Sequence, residues 1–200
     1  KLIFDREALL GVSITGWMNN PDILFNEKIL EKGAQIVKDV NREVARIIGI
    51  NPAARTTCVK PSGNASVLLQ TASGIHAEHS PMYIRNVQMN KESEITQAIM
   101  KTNPYMVEES VWSAGGTDVV VSFPILPNKG SMYKDDLLGV KHLELVKKAQ
   151  KHWVEAGTNE ELCADKGVRH NVSNTIIVDD WDDVEKYVFE NRHSFAGISF

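Results

Sequence analysis

The segment with the clearest chemical potential is the run Lys-Pro-Ser-Gly-Asn-Ala-Ser at positions 60–66, which consists of small and polar residues. It follows a predicted short strand at 56–59 and leads into a predicted helical turn at 65–70. Such a junction presents free backbone N–H groups and the positive end of the helix dipole to a ligand. The pattern therefore predicts a phosphate-binding loop, in which Gly63 lets a phosphate approach the backbone closely.

Two interpretations fit the polar side chains of this loop. In the first, the hydroxyls of Ser62 and Ser66 donate to a phosphate, while Asn64 caps the helix that follows. In the second, residues 62–64 form only a helix cap and bind no ligand. The residue types and their spacing are compatible with both interpretations.

The cysteine and histidine residues predict no further active site. Cys58 and Cys163 form no CxxC pair, which favours a reduced, cytoplasmic protein over one held together by disulfides. Both are predicted to be small packing residues rather than catalytic thiols. His76 and His79 form an HxxH pattern, but no third ligand completes it, so no metal site is predicted.

Composition and charge exclude several classes of protein. The 200-residue chain is 42% hydrophobic and 24% charged, which is ordinary for a soluble globular domain. Its formal net charge of -4, without basic clusters, argues against general nucleic-acid binding but not against binding one nucleotide. No apolar run reaches the ~18 residues that a membrane-spanning helix needs. The chain begins without Met and stops directly after an apolar stretch, so we expect residues 1–200 to be a single partial domain of a longer protein.

The elements that must position the loop alternate between short apolar strands and amphipathic helices. Helices are predicted at 26–48, 65–70, 91–101, 135–156 and 181–191, and strands at 9–16, 56–59, 83–89, 118–125, 172–178 and 196–200. Strand 9–16 should be buried. The two longest helices should bury one face each, the first with Leu30, Ala34, Val37, Val44 and Ile48, and the second with Leu138, Leu145, Ala149 and Trp153. This order indicates an α/β fold with largely parallel strands.

Five short motifs follow one another along nearly the whole chain. They are Gly-Val-Ser-Ile-Thr-Gly at 11–16, Val-Lys-Pro-Ser-Gly at 59–63, Ser-Gly-Ile-His at 73–76 with Tyr-Ile-Arg at 83–85, His-Asn-Val-Ser at 170–173 with Trp181, and Ala-Gly-Ile-Ser-Phe at 196–200. In order and spacing they resemble the motifs of ribonucleotide reductases. Their amino-acid sequences resemble those of the adenosylcobalamin-dependent class, class II. The resemblance implies that the chain supplies much of the second half of a ten-stranded α/β barrel.

The resemblance also implies which residues meet the substrate. It places the substrate's phosphates on the loop and the start of the following helix, at Ser62, Gly63, Asn64, Ala65 and Ser66. The family usually has threonine where Asn64 stands, so an amide replaces a hydroxyl at this position. A second loop would line the active site with Gly74, Ile75 and His76.

The activity that the resemblance implies is the reduction of ribonucleoside triphosphates or diphosphates to deoxyribonucleotides by thiyl-radical chemistry. In the parent protein, adenosylcobalamin would generate the radical and a thioredoxin-type dithiol would supply electrons. The family's Cys-x-Glu radical motif and its C-terminal cysteine pair match neither Cys58 nor Cys163. No catalytic residue and no bound cofactor are therefore expected in this chain, which should be inactive without the remainder of the parent chain.

Two alternatives stay open at this point. The parent protein could belong to the oxygen-dependent or the glycyl-radical class of ribonucleotide reductases. The chain could instead be a non-catalytic nucleotide-binding module, which predicts that it binds a nucleotide by itself. A half barrel with an unpaired strand edge is poorly suited to that role.

Overall fold

A computed structural model describes residues 2–200, with the side chains of residues 2–4 and of Asn64 outside the description. The helices are α1 (Leu2–Glu7), α2 (Pro21–Leu24), α3 (Glu27–Ile48), α4 (Asn64–Leu68), α5 (Glu94–Thr102), α6 (Gly139–Ala149) and α7 (Trp181–Glu190). The strands are β1 (Val12–Ser13), β2 (Thr57–Cys58), β3 (Tyr83–Asn90), β4 (Val107–Glu109) and β5 (Asp118–Ile125). The chain divides into a first unit, Lys1–Glu78 with Asn128–Phe200, and a second unit, His79–Pro127.

The first unit contains a parallel strand pair joined by a helical crossover. β1 pairs with β2 in parallel, and a single parallel bridge joins Val59 to Val172. The buried core of this unit is formed by apolar residues from several segments, among them Trp17, Met18, Leu30, Val59, Ile75, Leu143, Trp153 and Val172. The α/β class predicted from the sequence is confirmed, although the described strands form no closed sheet.

Three strand predictions in the first unit are wrong in extent. The strand expected at 9–16 has only two paired residues, because the chain turns at Gly16, which has a φ of 76°. Both paired residues are exposed, so the expectation of a buried strand is wrong. Residues 172–178 and 196–200 form no strand. They lie side by side, with Ile176 N–H donating to Ser199 O, but the Asn174 amide donates to the carbonyls of Val172 and Gly197. A side chain therefore takes the place of main-chain partners there.

Helix α3 begins and ends close to the predicted residues. Asn26 caps it by accepting from the Ile29 N–H, and Gly49 ends it with a φ of 74°. Leu30 and Ala34 are buried as predicted, whereas Val44 and Ile48 are exposed. The expected face is therefore wrong at its C-terminal end, because Ala45 is the only residue of the last two turns that the core covers.

Helix α6 begins later than predicted and ends in a π-helical turn at Gln150–Glu155. Residues 134–136 form a separate 3-10 turn, so the expectation of one helix over 135–156 is wrong at its start. Of the expected face, Ala149 and Trp153 are buried, whereas Leu138 and Leu145 are half-buried. The other buried positions are Gly139, His142, Leu143, Val146, Gln150, His152 and Val154. Residues 134–138 lie outside the helix, so helical spacing does not apply to Leu138, and the expected face fails at its start and not in the π turn.

The second unit is an antiparallel sheet with one helix. Its strands lie in the order β3-β5-β4, and Tyr83 pairs with Ile125 at one end of the ladder. The prediction of largely parallel strands is wrong for this unit, because the short strand β4 and a turn at Ser113–Gly116 reverse the chain before β5. Helix α5 begins three residues later than predicted, since Ser93 caps it. Strands β3 and β5 agree with the predictions within one residue.

No helix among the described residues has both the length and the apolar character needed to cross a lipid bilayer.

Candidate functional site

The predicted phosphate loop connects β2 to α4 through an unusual backbone conformation. Gly63 has φ 50° and ψ -122°, a combination that side-chain-bearing residues avoid, and it caps α4 without any side-chain bond. Gly63 is exposed, and its N–H donates to none of the described groups. The loop thus presents a main-chain donor that none of the described groups uses, which is a feature that phosphate binding requires.

Ser62 is held in place from two directions. Its N–H donates to the hydroxyl of Ser73 at 3.0 Å. Its own Oγ lies 2.6 Å from Oγ1 of Thr15, which follows β1. Ser62 is half-buried, whereas Ser66 is 2% exposed. Ser62 is therefore the loop hydroxyl best placed to reach a ligand.

Three other predicted loop residues differ from the expectation. Ser66 is 2% exposed and donates to the carbonyl of Gly63 at 2.7 Å, so its hydroxyl shapes the loop and is committed within it. Gly63, and not Asn64, is the N-cap of α4, and the Asn64 side chain lies outside the described part of the chain. Ala65 is exposed, and its N–H donates to Ser62 O at 3.0 Å. Helix α4 has only five residues, so its dipole is a weaker attraction for an anion than the sequence suggested.

The second predicted loop packs directly against the first. Gly74 is buried with a φ of 55°, and a Cβ at this position would lie 2.8 Å from the carbonyl oxygen of Lys60. This close approach of two backbones requires glycine. Ile75 is fully buried in the core, so it packs beneath the loop instead of lining a site.

His76 is the member of this loop that keeps a polar group near the surface. Its Nδ1 lies 3.0 Å from Ser73 O, which favours a proton on Nδ1 and leaves Nε2 as an acceptor. The ring is half-buried and meets the His142 ring edge-on, with 6.4 Å between centroids. His76 is thus the only residue of Gly74, Ile75 and His76 whose side chain can contact a ligand.

His142, on α6, supports this loop from inside the protein. Its Nε2 donates to Ile75 O at 3.0 Å, and the side chain is 3% exposed. Burial lowers the pKa of His142 to about 4, so the ring is neutral at physiological pH. A neutral ring with Nε2 protonated is the form that can make this bond.

The segment 170–173, to which the sequence assigned no chemical role, lies along β2. The Nδ1 of His170 is 3.0 Å from Thr57 O, and the ammonium of Lys60 donates to the Ser173 hydroxyl at 3.0 Å. Its main chain also bonds to Val59 from both sides. This segment therefore supports the strand from which the phosphate loop departs.

The cysteines have the properties of packing residues. Cys58 ends β2 beside a cleft of about 430 Å³, and burial raises the pKa of its thiol while Lys60 opposes that shift. A protonated thiol is a poor nucleophile. Cys163 is buried, with Sγ 3.4 Å from Asn159 O.

No three His, Cys, Asp or Glu residues within the described ranges are grouped so as to hold a metal, and His76 and His79 fall in different units.

Sequence reasoning missed the residues that tie the two loops together. Thr15 bonds to the carbonyl of Ala72 at 2.9 Å and accepts from the Gly74 N–H at 2.9 Å, besides its contact with Ser62. Asn19 is 2% exposed and accepts from the Ala72 N–H at 2.6 Å. The sequence carries no specific signal for either residue, because their partners lie far away along the chain.

The chain is similar in sequence to two curated proteins. Over 123 residues the chain is 28% identical to a probable adenosylcobalamin-dependent ribonucleoside-triphosphate reductase of Dictyostelium discoideum. The matched region is 62% of this chain and 16% of that relative. Over 153 residues it is 23% identical to an adenosylcobalamin-dependent ribonucleoside-triphosphate reductase of Euglena gracilis, covering 75% and 21%. No family model matches the chain.

A solved structure has the same fold. It is the crystal structure of a B12-dependent, class II ribonucleotide reductase, with a TM-score of 0.78 and 17% identity, covering 99% of this chain and 30% of that one. The chain spans about a fifth or less of the curated relatives that it matches. The resemblance to class II reductases that the motifs predicted is confirmed.

Proposed function

Because the chain is related to the adenosylcobalamin-dependent ribonucleotide reductases, we propose that it is part of the catalytic barrel of such an enzyme. The parent protein reduces ribonucleotides, in triphosphate or diphosphate form, to deoxyribonucleotides by thiyl-radical chemistry in the cytoplasm. A thioredoxin-type dithiol supplies the electrons. Residues 1–200 form one partial domain, much of the second half of a ten-stranded α/β barrel, that depends on the remainder of the parent chain.

The observation that carries this proposal is the pair of interlocked loops in the first unit. Gly63 presents an uncommitted N–H, and Ser62 presents a half-buried hydroxyl beside it. Backbone N–H groups and hydroxyls are the donors that phosphate-binding loops use. The substrate phosphates are proposed to lie on residues 62–66, with Ser62 and Gly63 making the contacts and Ser66 shaping the loop.

The remaining predicted site residues have supporting roles. Gly74 allows the two loops to touch, and Ile75 anchors the second loop in the core. His76 faces the substrate from that loop. The chain is proposed to contribute no radical cysteine, because neither Cys58 nor Cys163 stands in a Cys-x-Glu motif.

The cofactor is assigned to other parts of the parent protein. Adenosylcobalamin supplies the organic radical in class II enzymes. Four clefts among the described residues have volumes of about 250 to 520 Å³, and each is too small for a corrin ring with its nucleotide tail. The residues present therefore do not fit the cofactor.

The test is an activity assay on the complete polypeptide in which this segment occurs. We expect reduction of a ribonucleoside triphosphate that requires both adenosylcobalamin and dithiothreitol. Ser62→Ala should raise the KM for the nucleotide roughly tenfold, since a hydrogen bond to a charged group is lost. Residues 1–200 alone should show no turnover.

Two results would contradict the proposal. Reduction that proceeds without cobalamin and needs oxygen or a glycyl radical would assign the parent to another class. Absence of any ribonucleotide reduction by the complete polypeptide would remove the proposed function altogether.

A further inference from the structure

The hydroxyl of Thr15 occupies the point where three segments of the first unit meet. It lies 2.6 Å from Ser62 Oγ, 2.9 Å from Ala72 O and 2.9 Å from the N of Gly74. These partners are the phosphate loop, the start of the second loop and the glycine that packs against Lys60. A single side chain therefore contacts both halves of the candidate site.

The hydrogen atoms in this cluster can be counted. Thr15 has one hydroxyl hydrogen and two acceptors within reach, Ala72 O and Ser62 Oγ. Without a ligand, Thr15 donates to Ala72 O, and Ser62 donates its own hydrogen to Thr15. The Gly74 N–H donates to Thr15 in either arrangement.

A phosphate that contacts Ser62 needs the hydrogen that Ser62 otherwise gives to Thr15. When Ser62 turns this hydrogen to the phosphate, Thr15 can turn its own hydrogen from Ala72 O to Ser62 Oγ. The Ala72 carbonyl is not left unpaired, because the Gly16 N–H also donates to it at 2.9 Å. With the bond to the phosphate included, the number of hydrogen bonds is the same in both arrangements, so freeing the Ser62 hydrogen leaves no buried group unpaired.

We propose that Thr15 is a positioning residue for the substrate phosphate, which holds Ser62 Oγ in place and donates to it when Ser62 donates to the phosphate. This inference rests on the proposed function, because it names how one hydroxyl of that site is prepared. A donated hydrogen bond also polarises the Ser62 hydroxyl, which strengthens its own donation to an anion. Thr15 acts only through Ser62 and touches no substrate atom.

The experiment measures steady-state kinetics of the complete polypeptide with a ribonucleoside triphosphate. Thr15→Val removes the hydroxyl and keeps the shape, and it should raise KM about fivefold while kcat changes less than about twofold. Thr15→Ser restores the hydroxyl and should return KM to about the wild-type value. Thr158→Val is the matched control, because its hydroxyl bonds only to Val154 O in the preceding turn.

A double variant separates positioning from a general structural effect. If Thr15 acts through Ser62, the Thr15→Val/Ser62→Ala protein should have the same KM as Ser62→Ala alone, because the second change removes the group on which the first acts. If Thr15→Val lowers the folded fraction, Thr15→Ala replaces it with the same expectation.

Each outcome decides the inference. A wild-type KM in Thr15→Val, or effects of Thr15→Val and Ser62→Ala that multiply, would overturn the role of Thr15 and leave the proposed function intact. A complete polypeptide that reduces no ribonucleotide removes the proposed function, and this inference with it.

Discussion

The two units of this chain use their polar side chains in different ways. In the first unit, the hydroxyl of Thr15 and the amide of Asn19 bond to groups that lie 47 to 112 residues away along the chain. In the second unit, polar side chains bond mainly to close sequence neighbours or across paired strands, apart from the ion pair between Lys91 and Glu109. Ser93 bonds to Thr96, and Ser122 bonds to Asn86 directly opposite.

This difference indicates where precise positions are needed. Hydrogen bonds between close neighbours shape one turn or one helix end, whereas bonds between distant segments fix those segments relative to each other. The distant bonds of the first unit converge on the two loops that form the candidate site. Disrupting one of them should therefore affect stability and ligand binding more than a similar change in the second unit.

The largest expected effect comes from Asn19→Ala. The Asn19 amide accepts from the Thr71 hydroxyl and the Ala72 N–H, and donates to Glu78 and Ser131, at 2.6 to 3.0 Å. Removing it leaves several buried groups unpaired, and we expect the free energy of unfolding to fall by about 3 kcal/mol in urea titrations. Asn103→Ala in the second unit, which breaks only bonds to close neighbours, should cost less than about 1 kcal/mol. Equal losses of unfolding free energy in Asn19→Ala and Asn103→Ala would contradict the proposed difference between the two units.

Gly74→Ala should have the next largest effect. Alanine at this position meets both a left-handed backbone and the Lys60 carbonyl at 2.8 Å, so we expect a loss of about 2 kcal/mol in the free energy of unfolding. Gly116→Ala is the control, because its φ is also positive but no atom lies within 4 Å of the added Cβ. An equally large loss of unfolding free energy in Gly116→Ala would show that backbone strain, and not contact between the loops, accounts for the effect of Gly74→Ala.

The buried His142 gives the first unit a pH dependence that can be measured. Its pKa is about 4 in the folded chain and about 6.5 when unfolded, so between these values the unfolded state binds the extra proton. The contribution of His142 to stability is fully present above pH 6.5 and is lost as pH falls toward 4, by at most about 1.4 kcal/mol per pH unit. His142→Gln keeps a donor for Ile75 O and should flatten this part of the profile in urea titrations at several pH values. An unchanged profile would contradict the assignment.

The smallest effects should come from helix caps, and they should be alike in both units. Ser93→Ala removes the cap of α5, and Asn26→Ala removes the cap of α3. Each should lower the free energy of unfolding by about 1 kcal/mol, because each deletes the side-chain acceptor of one main-chain N–H in the first turn of its helix. A much larger loss of unfolding free energy in Asn26→Ala than in Ser93→Ala would mean that any lost hydrogen bond destabilises the first unit strongly. The bonds of Asn19 would then not differ from others in that unit.

The contrast between the units also explains which features could be predicted from sequence. Alternation along β3 and β5 depends on local burial, so both strands were predicted within one residue. Their antiparallel pairing was not predicted, because the alternation of buried and exposed residues does not encode strand direction. The three-residue strand β4 was too short to detect. In the first unit the ladders contain only two residues, so side-chain and loop contacts outweigh strand propensity there.

The candidate site was predicted only in part for the same reason. Ser62 and Gly63 are recognisable because they stand between a strand and a helix. The burial of Ser66 depends on the unusual backbone of Gly63, which directs the carbonyl toward the serine hydroxyl. Thr15 could not be identified, because its three partners are separated from it by 47 to 59 residues.

The central claim is that the loop at 62–66 binds the phosphates of a ribonucleotide. Calorimetric titration of the complete polypeptide with a ribonucleoside triphosphate, and separately with the corresponding nucleoside, tests it most directly. We expect Ser62→Ala to weaken triphosphate binding roughly tenfold and to leave nucleoside binding unchanged, because only the triphosphate reaches the loop. Equal triphosphate affinity in the wild-type and Ser62→Ala proteins would contradict the claim.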